Sequence, residues 1–457
     1  MIKGLTLLKS YSSIKSHEKT ATIVEKKMRY YSTNNPNTPV GLCDAILRSI
    51  APDGGVYMPL SIPLIPPALF KNIADMSLTD IGYIVANSIL GPDIPAATIN
   101  DIVKETLNFP IPLRQFGEHT YALELFHGPT GTFKDIGARF MAKVVEHILK
   151  SGCSNTKKVN IFVATLGDTG IAVANGFAGI EGVNVYILQP KGQSPRGSNG
   201  ASMPQAPNIR PISIRGSFDD CQRLVKEIYT DAELNRKLTI TSANSINIAR
   251  LLPQTFFYFH AYARLHEMEE KPGRLTMSCP CGNLGNLTAA LFSRQLGLPL
   301  ERILASGLNN ERLWGEIQSG QLAVNAFNSR ALSNNLSRIN ALIKANPTVA
   351  NLIECYTYTD TDVADQIKQI YNRNEYLMDR NTAMACRALE QNLHSGETGI
   401  FLATASPAKY ADRLHEILGP NIRLDIPSQA KDSQPRAETI TLPPLLPAIK
   451  RYLLDQN

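Results

Sequence analysis

One lysine, two glycine-bearing loops and one arginine are the residues of this chain whose type and setting could do chemistry. Lys134 ends the turn-rich run Phe126-His127-Gly128-Pro129-Thr130-Gly131-Thr132-Phe133 and opens an apolar series, Ile136, Phe140, Val144, Val145 and Ile148, at helical spacing. A cation at a helix start opposes the helix dipole, which points to a task. A solvated lysine that reaches outward is the plain alternative. An amine that is to attack a carbonyl carbon must sit where it can shed its proton, in an apolar site.

The loops Gly167-Asp168-Thr169-Gly170 and Gly282-Asn283-Leu284-Gly285-Asn286 each join a buried-strand pattern to a helical one. The first N–H groups of a helix are unpaired and carry partial positive charge, so such a loop can bind an anion. Glycines allow close approach. Ordinary tight turns are the competing reading of both loops, and neither is a nucleotide P-loop, since the Gly-Lys-Ser/Thr ending is absent. Arg250 carries the planar fork that suits phosphate, although it could equally be a helix-surface charge. His127, His260 and His266 are assigned to turn ordering or packing, with no catalytic role.

These residues must be positioned by the elements around them. From Lys134 onward, period-2 and period-3.6 apolar patterns alternate, which argues an α/β architecture with mostly parallel strands. Strands are expected at Val159–Ala164, Val183–Leu188, Pro211–Ile214, Leu238–Thr241 and Leu275–Cys279, and helices at Ala172–Ala178, Phe218–Thr230 and Leu287–Leu296. One long helix is expected to begin near Ile246. Before residue 110 the chain is richer in proline and lacks this rhythm. A separate N-terminal region is placed there, and the proline-rich segment near 426–447 is read as surface wrapping.

A chain of 457 residues, 43% apolar and 19% charged, can bury a large core divided between lobes. The 46 Lys+Arg against 40 Asp+Glu are spread without a basic block, so no nucleic-acid partner is expected. No apolar stretch approaches the roughly 18 residues of a membrane span, so no membrane is expected either. Seven cysteines without a regular framework imply reduced thiols in a cytoplasmic protein. Cys279 and Cys281 lack zinc-site spacing, and no metal is assigned.

The stretch Glu124 to Phe140 containing Lys134 resembles the lysine motif of the threonine synthase family. The resemblance continues through Ala51–Pro59, Thr165–Gly170, Gly216–Gln222, Ser242–Gln254, Gly282–Asn286 and Ala403–Lys409, in the family's order. It implies a fold-type-II pyridoxal-phosphate (PLP) enzyme of two α/β lobes with an N-terminal family domain. The expected divisions are an extension at 1–27, an N-terminal domain at 28–107, a catalytic core at 108–425 with a smaller lobe at roughly 140–245, and a C-terminal segment at 426–457.

Lys134 matches the Schiff-base lysine, Gly282, Asn283, Leu284, Gly285 and Asn286 the loop for the cofactor phosphate, and Thr404 the hydroxyl facing the pyridine nitrogen. Thr165, Gly167, Asp168 and Thr169 resemble the segment for the substrate carboxylate, and Ser242, Asn247 and Arg250 the group for its phosphate. The implied reaction turns O-phosphohomoserine and water into threonine and phosphate, in a monomer or homodimer.

Three departures fall on the substrate side. Leu166 stands where the family has serine, Ser406 and Asn381 where it has histidine. The Leu166 change removes a donor worth about 1–3 kcal/mol. A lyase that releases a keto acid and ammonia, or a catalytically reduced PLP-binding paralogue, are therefore the alternatives. The segment Ser333–Ile339 is only loosely similar to its family counterpart.

Overall fold

A computed structural model describes residues 27–193, 202–309, 311–319, 333–424 and 440–456. Apart from Lys27 the expected extension lies outside the described residues, as does most of the proline-rich segment, 425–439. The apolar runs of the sequence become two parallel-rich sheets. The first strands are β1 (Tyr30–Ser32) and β2 (Tyr57–Pro59), an antiparallel ribbon with Tyr31 opposite Met58. The larger sheet uses β3 (Leu113–Gln115), β4 (Thr120–Glu124), β9 (Arg274–Pro280), β10 (Leu300–Leu308), β11 (Ile353–Tyr358) and β12 (Glu397–Ala403). The smaller uses β5 (Val159–Ala164), β6 (Val183–Pro190), β7 (Ile209–Ile214), β8 (Thr239–Thr241) and β13 (Ile440–Leu442).

Strand order is β11-β10-β9-β12-β4-β3 in the larger sheet and β13-β7-β6-β5-β8 in the smaller. Every pairing in them is parallel except β3 with β4. Parallel strands covered on both faces must be apolar throughout. Accordingly all eight residues of β6 are buried. Two of the polar exceptions pair with each other: the Asn184 amide donates to Asn160 Oδ1 across β5 and β6 at 3.2 Å.

The helix Lys134–Ser151 stops at Gly152, whose φ of 70° is the left-handed conformation that glycine adopts without cost. Helix Asp168–Phe177 lies against it so closely that a Cβ on Gly176 would come within 2.9 Å of the Ala138 carbonyl carbon. Gly176→Ala should therefore destabilise the fold by about 1–3 kcal/mol. A denaturant midpoint unchanged from the parent would show that the two helices can separate freely.

The N-terminal helices Leu78–Leu90 and Ala96–Thr106 pack onto helices Gln254–Met268 and Lys134–Ser151. One continuous apolar cluster runs from Met28 through these helices into both lobes. At the other end of the chain, β13 extends the edge of the smaller sheet, and Ile449 and Leu453 of the final helix fill its outer core.

Two expectations are corrected. The single long helix expected from near Ile246 is instead two, Ile248–Leu251 and Gln254–Met268. Pro253 stands between them as the N-cap residue of the second, and it has no N–H to continue the first. The expectation that all thiols are reduced also fails, because Cys43 and Cys153 are disulfide-bonded, with Cα atoms 6.6 Å apart. They are 110 residues apart in sequence, and only the docking of helix Leu42–Arg48 beside the end of the Lys134 helix brings them together. Among the described residues no helix is long and apolar enough to cross a membrane, and no His/Cys/Asp/Glu group could hold a metal ion.

Candidate active site

The turn that carries Lys134 is fixed from both sides. Thr130 donates to the Asp135 carboxylate through its N–H at 2.8 Å and its hydroxyl at 2.6 Å. Beyond the turn, Phe133 N–H donates to Thr404 O at 3.0 Å and Ser406 N–H to Gly131 O at 2.8 Å, while Thr132 bridges Ala405. The end of β12 is thereby joined to the lysine turn. Lys134 and Thr404, 270 positions apart in the sequence, consequently line one cavity of about 280 Å³.

Of the residues singled out from the sequence, Thr169, Arg250, Gly282, Asn283 and Asn286 also line this cavity. Leu284 and Gly285 carry the loop backbone behind it. Leu284 holds a φ of 61° with its side chain fully buried, a conformation that costs a non-glycine residue about 1–2 kcal/mol. Core packing holds it there. The twist aims the loop into the start of helix Gly285–Gln295, where Gly285 N–H is held by Asn283 Oδ1 at 3.1 Å and the positive end of the helix dipole favours an anion.

Thr165 is committed to building its own loop, since its hydroxyl accepts from Gly167 N–H at 3.1 Å and Gly170 N–H at 3.2 Å. Leu166 projects from that loop and is 43% exposed. Ser242 and Asn247 do not line the cavity. Both are fully buried behind its wall, where Asn247 donates to Ile46 O at 2.8 Å and Ser242 N–H to Ser49 Oγ at 3.1 Å.

Lys134 Nζ lies 3.7 Å from Asp168 Oδ2, and Lys409 Nζ holds the same oxygen at 2.5 Å. Burial lowers the Lys134 pKa below the ordinary lysine value; Asp168 opposes that shift, and Lys409 and Arg250 reinforce it. The amine is thus biased toward its neutral, nucleophilic form. Removing the Asp168 charge should lower that pKa further, whereas Lys409→Gln deletes a like charge and leaves Asp168 to Lys134. Capture of PLP followed against pH should shift its acid limb downward in Asp168→Asn and upward in Lys409→Gln. Coincident limbs in all three proteins would refute the assignment of these charges.

Arg250 is buried, and its Nη1 donates to Lys134 O at 2.9 Å. Burial pushes its pKa down to about 10, which leaves it charged at neutral pH. Its Nε has no hydrogen-bond partner among the described residues, and neither does Asn286 Oδ1. An orphaned buried donor on a cation is costly unless a ligand pairs with it. The cavity therefore fits an anionic group, and a Cβ built on Gly282 would meet no atom within 4 Å, which leaves room for one against the loop.

Sequence reasoning gave no binding role to Asn244, Ser245, Gln254 and Asn381, which line the cavity, or to Lys409, which reaches Asp168, although it marked Asn381 as a departure on the substrate side. All five lie inside or beside motifs already quoted. The signal was present, but neighbours within a motif cannot be ranked by contact without the fold. His127 pairs with Glu124 at 2.7 Å, consistent with ordering its turn, and His260 is held by Ile111 O.

Two α/β lobes, a part-buried amine at a helix start and an anion-ready glycine loop in one cavity with a hydroxyl define a fold-type-II PLP-dependent enzyme. The family described as "Pyridoxal-phosphate dependent enzyme" matches residues 106–404, and "Threonine synthase N terminus" matches residues 29–107. Threonine synthase of Haemophilus influenzae is 36% identical over 407 residues, 88% of this chain and 93% of that protein. The crystal structure of threonine synthase from Escherichia coli superposes with a TM-score of 0.81 at 31% identity, covering 94% of this chain and all of that one. A PLP-bound threonine synthase from Brucella melitensis gives a TM-score of 0.81 at 26% identity, with 93% and 99% covered. The chain belongs to the threonine synthase family.

Proposed function

We propose that this protein converts O-phospho-L-homoserine and water to L-threonine and phosphate, with Lys134 as the residue that carries PLP. The observation that carries this reading is a part-buried, pKa-lowered amine in the same cavity as a buried arginine with an unpaired donor. In it, Gly282, Asn283, Leu284, Gly285 and Asn286 would hold the cofactor phosphate at a helix start. Thr404, which lines the same cavity, would supply the hydroxyl for the pyridine nitrogen. PLP, when bound, supplies the electron sink that makes protons on carbons next to an amino group removable.

Every other task falls to the chain. Lys134 Nζ would take and return protons at the α and β carbons of the substrate, for which a neutral amine is required. Arg250 receives the substrate phosphate on its fork. The loop Thr165–Thr169 presents backbone to the carboxylate, with Thr165 bracing its shape, while Ser242 and Asn247 hold the wall on which Arg250 stands. Asp168 and Lys409 set the charge around Nζ.

Cytoplasmic location is part of this reading. Five free thiols, four of them buried, support it, and the Cys43–Cys153 pair is the exception. Product analysis decides the reaction. Incubation with O-phosphohomoserine should release threonine and phosphate in equal amounts. Keto acid and ammonia would instead favour the lyase, for which the observation is Leu166 in place of a hydroxyl on the carboxylate loop. No product from protein that has taken up PLP would leave only a binding role.

A further inference from the structure

We propose that Asn335 and Arg338, on the helix Ser333–Ala345, form a bracket that fixes the spacing of the two anion-facing loops and places a buried positive charge behind them. The inference rests on the reading above that these loops hold phosphate groups.

Arg338 is the largest fully buried side chain among the described residues. Its Nη1 donates to Ser245 O at 2.8 Å and Asn335 Oδ1 at 3.0 Å, its Nη2 to Ile246 O and Tyr57 O, and its Nε to Tyr57 O at 3.2 Å. Asn335 in turn donates from Nδ2 to Ser245 Oγ at 2.8 Å and Asn283 O at 2.9 Å. Asn283 Nδ2 donates to the same Ser245 hydroxyl at 2.9 Å. One helix thus grips the cofactor loop at Asn283, the loop leading to Arg250 at Ser245 and Ile246, and the N-terminal ribbon at Tyr57.

Every oxygen in these bonds belongs to a neutral group. An ion held in the interior without a counter-charge is expensive, and it persists where something compensates. The walls the bracket grips, at Ser245 and Asn283, line the cavity that Arg250 also lines with its Nε unpaired. Two buried guanidinium groups behind and within one cleft are complementary to phosphate dianions entering it, in a medium where charges are weakly screened. Arginine suits the bracket because its rigid fork reaches three carbonyls at once, which a lysine ammonium cannot copy. Arg338 is a positioning residue, since it does not line the cavity.

The test titrates full-length protein, freed of cofactor, with PLP, with pyridoxal, which has the same aldehyde and no phosphate, and with inorganic phosphate. Arg338→Met should weaken PLP and phosphate by about tenfold or more and leave pyridoxal within about twofold. Arg338→Lys should recover part of the loss, and Asn335→Ala should weaken the same two ligands by less. Should Arg338→Met fail to fold, the other two variants decide. Equal loss of PLP and pyridoxal in the folded variants, or no loss, overturns the bracket. Equal affinity of the unaltered protein for PLP and pyridoxal would overturn instead the phosphate reading beneath it.

Discussion

Lys134→Ala should lose turnover of O-phosphohomoserine by roughly 10³-fold or more, because it removes both the attachment point for PLP and the group that moves protons. The fold should survive. The side chain keeps 29% accessibility and no core packing depends on its amine, so far-ultraviolet circular dichroism should be unchanged. Lys134→Arg sharpens the expectation: it keeps a cation beside Asp168 but cannot shed its proton, and it should be as inactive as the alanine variant. A Lys134→Ala protein that retained a tenth of parental turnover would remove Lys134 from the chemistry.

The second large effect is expected at Arg250. Two charge-assisted bonds to a phosphate, each worth about 1.5–3 kcal/mol, make a loss of roughly a hundredfold or more in kcat/KM the expectation for Arg250→Met. Arg250 Nη1 also braces Lys134 O, so a general loosening of the lysine turn must be separated from lost phosphate recognition. Inorganic phosphate as a competitive inhibitor does this. Its inhibition should weaken in parallel with kcat/KM, while uptake of PLP changes little. Arg250→Lys should fall between the two, because a point charge replaces the fork. Unaltered phosphate inhibition in Arg250→Met would mean that the substrate phosphate binds elsewhere.

What was legible in the sequence was what lies close together along it. The lysine turn, the two glycine loops and the helix Phe218–Thr230 are local patterns, and the structure reproduces their extents closely. The α/β alternation was legible for the same reason, since buried parallel strands are continuous apolar runs. Residues that work through distance were not. Arg338 bonds a carbonyl 281 positions away, and nothing in its own neighbourhood marks it as buried. Cys43 and Cys153, and β13 at the edge of the smaller sheet, are paired only by tertiary docking. Ser242 and Asn247 show a further limit: a shared motif names residues near a site without telling which touch the ligand and which hold the wall.

The most direct measurement is to load the protein with PLP, fix the linkage with borohydride, digest it and locate the added mass. The account requires the pyridoxyl group on Lys134, in the peptide that runs through Gly131-Thr132-Phe133. A label on Lys409 or another lysine, or no stable label at all, would contradict it.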